Sequence, residues 1–168
     1  FTHTGAFALN AAAAGAAHVT AVDVSAFALE LAAENGRKNG LTNLDYKCAD
    51  VFDLLTEMVK EKKCDYDYII LDPPAFTKSR ATAKNAYNGY KEINRKAMQL
   101  LPRGGYLATC SCSHFMTDEM FRKMLREAAA DAGVTLRQIE ARQQAPDHPI
   151  LPEVPETDYL KFYLLQVV

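Results

Sequence analysis

Apolar and polar positions along this chain of 168 residues follow two periods that alternate from end to end. Short apolar runs of strand length are separated by stretches whose apolar residues recur three and four apart, the spacing of a helix with one buried face. The pattern predicts a helix over Gly5 to Ala17, then a strand from His18 to Val24 with Asp23 near its end. Ser25 stands where it can cap a second helix, in which Phe27, Leu31 and flanking alanines lie one turn apart, and Asn39 and Gly40 stop it. Asn43 to Ala49 reads as a strand ending at Asp50, Val51 to Lys63 as a helix, and Tyr66 to Leu71 as a buried strand. Asn85 to Leu101 is helical in pattern and Gly104 to Cys110 strand-like. Thr117 caps a helix with Asp118 and Glu119 in its first turn and Phe121 and Leu125 one turn apart. Val134 to Arg142 and Tyr159 to Val168 are two closing strands around a proline-rich loop, Pro146 to Pro155. Such alternation predicts an α/β fold with a doubly wound, mainly parallel sheet.

Composition narrows this only slightly. At 49% apolar the chain has enough hydrophobic residues for one well-buried domain and is short for two. It contains no apolar run near the roughly 18 to 20 residues of a membrane span and no signal segment at its start, which predicts a soluble protein. A net charge of −2 gives no global attraction to nucleic acid, so any such contact needs a local basic patch. Cys48, Cys64, Cys110 and Cys112 lack the spacing of a disulfide framework, which favours reduced thiols and a cytoplasmic location. Phe1 leads directly into a Thr/Gly loop and an Ala-rich helix, so the chain is expected to be a piece whose first strand is missing.

The chemistry-bearing residues fall at strand ends. After Tyr68, Ile69, Ile70 and Leu71 come Asp72, Pro73, Pro74, Ala75 and Phe76. Two prolines cannot continue a sheet, so the backbone must leave the strand as a stiff loop, at the edge where open α/β sheets bind ligands. Asp23, Asp50 and Asp72 end successive strands, and a carboxylate after such a strand can accept both hydroxyls of a ribose. Asp23 and Asp50 also suit turn-starting and helix-capping positions. The Thr2, His3, Thr4, Gly5 loop can bring backbone N–H groups close to a cofactor, but it is not a GxGxxG fingerprint.

These motifs together carry a resemblance. The Thr4, Gly5 loop, Val22 to Ser25, Ala49 to Phe52, Leu71 to Phe76 and Thr109 to Ser113, in that order, resemble a class I S-adenosylmethionine-dependent methyltransferase. Gly89, Tyr90, Lys91, Glu92, Ile93, Asn94, then Ser111, Cys112, Ser113, and the tail from Asp147, His148, Pro149 to Tyr159, Leu160, Lys161 are similar to the bacterial 23S ribosomal RNA cytosine-5 methyltransferase I family. The resemblance covers essentially the whole chain. It implies a Rossmann-like sheet with an antiparallel last strand. It also implies that the loop with Thr2, Thr4, Gly5 and Phe7 holds the methionine part of S-adenosylmethionine. Asp23, beside Val24 and Ser25, would hold the ribose, and Asp50 with Val51 the adenine. Asp72, Pro73 and Pro74 would form the wall between cofactor methyl and target base. Full-length relatives carry an N-terminal RNA-binding domain and a connecting domain, which this chain is expected to lack. Ribosomal RNA is the implied partner.

A cysteine at the end of the strand that follows the Asp72 loop suits that chemistry, because C5 of cytosine becomes nucleophilic only when a thiolate adds at C6. Cys110 and Cys112 both qualify as the nucleophile. Strand-end geometry favours Cys112, since Cys110 falls within the strand, where cysteine commonly packs as a small hydrophobe. Local help, such as the helix starting near Thr117, is needed to raise the thiolate fraction. Asp72 is then expected to hold or protonate the base near N3. The Cys110, Cys112, His114 spacing lacks the second ligand cluster of a zinc centre, so no metal is expected. Lys78 and Arg80, after Phe76, are the basic residues expected to reach RNA phosphates, with Tyr87 and Tyr90 nearby for stacking on a splayed base. Phe76 fits either a stacking role or an anchor for its loop. Two other functions remain open at this point: methylation of an exocyclic or protein amine, against which Ala75 counts, and a non-catalytic RNA- or protein-binding module of the same fold.

Overall fold

The computed structural model describes residues 1–62, 65–77 and 83–168. The chain forms two compact units, Phe1–Leu54 and Leu55–Val168.

In the first unit, α1 (Ala6–Ala13) leads into β1 (Val19–Asp23), α2 (Ala26–Lys38) and β2 (Leu44–Cys48), and the two strands pair in parallel from Val19↔Leu44 to Asp23↔Cys48. Gly5 opens α1 with φ +92, a left-handed conformation that costs a side-chain-bearing residue about 1–2 kcal/mol. The Ser25 side chain accepts from the Ala28 N–H at 3.2 Å and starts α2, while Arg37 and Lys38 oppose the dipole in its last turn. Helix α2 buries Ala28, Leu29, Ala32 and Gly36. Phe27, expected on that buried face, is instead 69% exposed, because the small residues one position further on let the helix approach its neighbours closely. On the other edge of β1 the chain start runs alongside, with the Thr2 N–H on the Val22 carbonyl at 2.8 Å. Helix α3 (Val51–Lys60) carries the chain across the unit boundary.

The second unit holds β3 (Tyr68–Leu71), α4 (Ala83–Leu100), β4 (Tyr106–Ser111), α5 (Asp118–Ala132), β5 (Leu136–Arg142) and β6 (Lys161–Val167). Its sheet has the order β3-β4-β6-β5; β3 is parallel to β4, and β6 runs antiparallel to both its neighbours. Strand β6 alternates buried and half-buried positions, as an inner strand with two unlike faces does, and β4 is buried along almost its whole length. Thr117 caps α5 through the Met120 N–H at 3.2 Å, and Gly133 ends it at φ +72. Tyr90, Ile93, Met98, Leu107, Phe121 and Met124 are completely buried and form the core. Lys91 on α4 pairs with Asp131 on α5 at 2.9 Å and with Glu127 at 3.5 Å, fastening the two helices together. The Tyr66 to Leu71 run, expected to be a buried strand, has only Leu71 buried: β3 is an outer strand of its sheet, which leaves Tyr68 44% and Ile70 36% exposed. The chain therefore has the Rossmann-like α/β organisation predicted, with one antiparallel strand, its pairing arranged as two sheets.

Candidate functional site

In the first unit the Thr2 to Gly5 turn closes on itself through the Gly5 N–H and the Thr2 carbonyl, 2.9 Å apart, and lies over Asp23. Asp23 Oδ2 accepts from the His3 N–H at 2.8 Å and Oδ1 from the Ser25 N–H at 3.0 Å. Burial alone would raise the Asp23 pKa, but the amides of Ser25 and His3 outweigh it and hold the carboxyl below its ordinary value. The Thr4 carbonyl is held by the Asn35 amide at 3.4 Å, an anchor on α2 that no sequence motif marks. Helix α1 begins with no side-chain cap, so its first amides are free to meet an anion. Phe7 is half exposed and Val24 is 71% exposed. Asp50 is exposed; its Oδ1 caps α3 through the Phe52 and Asp53 amides at 2.7 and 3.4 Å, and Oδ2 has no bond among the described residues. Val51 is buried in the first turn of that helix.

The second unit gathers the other half of the predicted residues at the ends of β3 and β4. Asp72 is exposed, Pro73 is buried and Pro74 is exposed, so the loop turns one ring inward and presents the carboxylate outward. The Cys110 thiol donates to Asp72 Oδ1 at 3.1 Å and lies 3.4 Å from the Leu71 carbonyl. Burial pushes the Cys110 thiol well above the ordinary range, and the Asp72 carboxylate pushes it further, so Cys110 is held as a neutral thiol. Cys112, just past the end of β4, is half exposed. The Ser113 hydroxyl donates to the Thr77 carbonyl at 3.0 Å, tying the segment after β4 to the proline loop.

Phe76 leans on Tyr90, ring centroids 4.6 Å apart, which anchors its loop while part of the ring stays accessible. Tyr90 is not available for stacking on a base: it is fully buried between Phe76 and Phe121, because its position on α4 points into the core. Of the lysines on α4, Lys91 pairs with Asp131 and Lys96 is buried beside Thr56 and Glu92. Lys78, Arg80 and Cys64 lie outside the described residues. Cys48 is exposed. Among the described residues no group of three His, Cys, Asp or Glu side chains could hold a metal ion, and no helix is long and apolar enough to cross a membrane.

Chemically, the second unit pairs a half-exposed thiol with an exposed carboxylate whose neighbouring thiol is locked neutral. The first unit offers a glycine turn, uncapped helix amides and two strand-end carboxylates. A group with a carboxylate at one end and a ribose in the middle fits these parts. Gly5 is buried, and a Cβ there would meet Ala32 Cβ at 3.0 Å, so a side chain at this turn would require α2 to give way by a few tenths of an ångström.

A methyltransferase domain family matches residues 1–155. The ribosomal RNA large subunit methyltransferase I of Shewanella denitrificans is 46% identical over 169 residues, covering 99% of this chain and 42% of its own length. That of Klebsiella pneumoniae is 41% identical over 100% of this chain and 42% of its own. Among solved structures, a candidate SAM-dependent methyltransferase from Streptococcus mutans has a TM-score of 0.85 at 25% identity, covering 99% of this chain and 43% of that one. A candidate methyltransferase complexed with SAH has the same TM-score at 24% identity and the same coverage. The chain thus spans 42% of the length of the curated relatives it matches.

Proposed function

The chain belongs to the methyltransferase domain family, and from that premise we propose that it transfers a methyl group to C5 of a cytosine in ribosomal RNA through a covalent cysteine adduct. The cofactor is S-adenosylmethionine, which when bound supplies an electrophilic methyl on a sulfonium. The turn from Thr2 to Gly5 and Phe7 would hold its methionine end, Asp23 with Val24 and Ser25 its ribose, and Asp50 with Val51 its adenine; Asp72 and Pro73 would border it.

The observation that carries the cytosine reading is the unlike state of the two thiols. Cys110 is buried and spent on Asp72, whereas Cys112 is half exposed beyond the strand end. Cys112 is the nucleophile in this reading. Its thiolate adds to C6, forming the C–S bond and moving the ring's electron pair toward C5, which becomes enamine-like. Asp72 holds the base edge at N3 and stabilises the proton there while the adduct exists. C5 would then take the methyl as its bond to the sulfonium sulfur breaks, S-adenosylhomocysteine being the leaving group; loss of the C5 proton to a base, release of the N3 proton and cleavage of the cysteine C–S bond restore the aromatic ring and return the thiolate. Pro74 and Phe76 would flank the base, and Lys78 and Arg80 would meet phosphates.

Ribosomal RNA as the substrate comes from the printed names of the relatives, 46% and 41% identical. The test is transfer of labelled methyl from S-adenosylmethionine to deproteinised 23S ribosomal RNA, followed by digestion to nucleosides. Label in 5-methylcytidine is expected. Label only in an amino-methylated nucleoside, or in protein, would replace this reading with the amine one.

A further inference from the structure

Lys161 is a lysine in an unusual place for its type. It is only 8% exposed, at the first position of β6, and no carboxylate lies within ion-pair distance of its Nζ among the described residues. Fully buried lysines are rare unless paired, because an ammonium removed from water loses far more than two carbonyl contacts return. Its Nζ donates to the Ser113 carbonyl at 2.7 Å and to the Tyr159 carbonyl at 2.6 Å, which uses two of three donors.

Those contacts have a specific position. In the antiparallel ladder between β4 and β6, Lys161 is the partner of Ser111. Its backbone is thus registered to the residue before Cys112, and its ammonium is fixed to the residue after it. We propose that Lys161 is the counter-cation and positioning residue of Cys112, bracketing that cysteine so that a thiolate formed there, its proton lost to solvent, is stabilised and held at the strand end. This rests on Cys112 being the nucleophile.

The surrounding charges agree. Burial lowers the Lys161 pKa, and Cys112 is the foremost influence holding it up, ahead of Asp158 and Asp118. Both carboxylates are engaged elsewhere, Asp118 by the Tyr163 hydroxyl and Arg122, Asp158 by the Gln143 amide at 3.2 Å. Among the described residues, Tyr90 and Cys110 also feel Cys112, and neither brings a positive charge. The start of α5, which sequence reasoning offered as the source of help, carries Asp118 and Glu119 in its first turn, so its dipole is already met by acidic side chains.

A local cation is read by comparing an anionic with a neutral alkylating reagent. The rates at Cys112 with iodoacetate and with iodoacetamide are measured at neutral pH and low salt, by peptide mapping with fragment ions that separate Cys112 from Cys110. In the folded chain the iodoacetate to iodoacetamide ratio should exceed that of the urea-unfolded chain by about threefold or more, the scale of one nearby charge in a wet site. Lys161→Met should bring the ratio to the unfolded value, and Lys161→Arg should restore most of it. A Lys161 that only braces the Ser113 turn would leave the ratio unmoved in Lys161→Met. Equal ratios in folded and unfolded wild type would overturn the proposal even if Lys161→Met does not fold. The measurement uses neither RNA nor cofactor, so it can fail while methyl transfer to cytosine stands, or succeed while that fails.

Discussion

The Cys110 thiol donates to Asp72 Oδ1 across 3.1 Å, joining the carboxyl ends of β3 and β4. Burial, and after it this contact with the Asp72 carboxylate, keep Cys110 protonated, while Cys112 beyond the strand end is the more accessible thiol. Cys112→Ala should therefore abolish methyl transfer, with a loss of at least about a thousandfold, the scale of removing a covalent nucleophile. Cys110→Ser, which keeps a donor for Asp72, should stay within about tenfold, the worth of roughly one hydrogen bond. Single-turnover transfer assays on both variants check this; the reverse ranking would assign the nucleophile to Cys110.

Asp72 is exposed, so Asp72→Asn should leave the unfolding transition in place. Transfer should nevertheless slow by about 10² to 10⁴, the range for loss of a positioned acid or base. A rate near wild type would remove Asp72 from the chemistry.

Gly5 stands at φ +92, and a Cβ there would meet Ala32 Cβ at 3.0 Å. Gly5→Ala should cost about 1–2 kcal/mol from the left-handed backbone, before any displacement of α2 is added. Urea unfolding reads the loss, and calorimetry with S-adenosylmethionine should show weaker binding. An unchanged midpoint would mean the turn is looser than its contacts imply.

Asp23 has a carboxyl held below its ordinary value of 3.8. A depressed folded-state pKa favours the folded chain at every pH above the unfolded value, and that contribution disappears as pH falls through the folded one. Stability followed down through pH 4 should thus fall less steeply in Asp23→Asn than in wild type. Parallel acid limbs would show that the His3 and Ser25 amides do not hold the charged form.

The elements were legible in the sequence wherever a local signal specifies them. Ser25 and Thr117 cap α2 and α5 as their residue types predict, and Asp23, Asp50 and Asp72 mark the ends of β1, β2 and β3. What failed depends on partners distant in sequence. Phe27 has the spacing of a core residue, but the small Ala28 and Ala32 take the close packing and leave it in solvent. Tyr68 and Ile70 read as buried because a run of apolar residues does not reveal that its strand is an outer one. Tyr90 sits among basic residues that suggest a nucleic-acid face, yet the helix turns it toward Phe121. Lys161 belonged to a recognisable tail, but its role depends on the register that sets it opposite Ser111, which no local pattern encodes.

Attack by Cys112 on C6 of a cytosine leaves an adduct that can be trapped. Ribosomal RNA carrying 5-fluorocytosine in place of cytosine cannot lose a proton from C5, so the C–S bond should persist once the methyl has been transferred. A covalent protein–RNA complex should form only with S-adenosylmethionine, map by mass spectrometry to Cys112, and survive in Cys110→Ser. No complex, or one attached at Cys110, would contradict attack by Cys112.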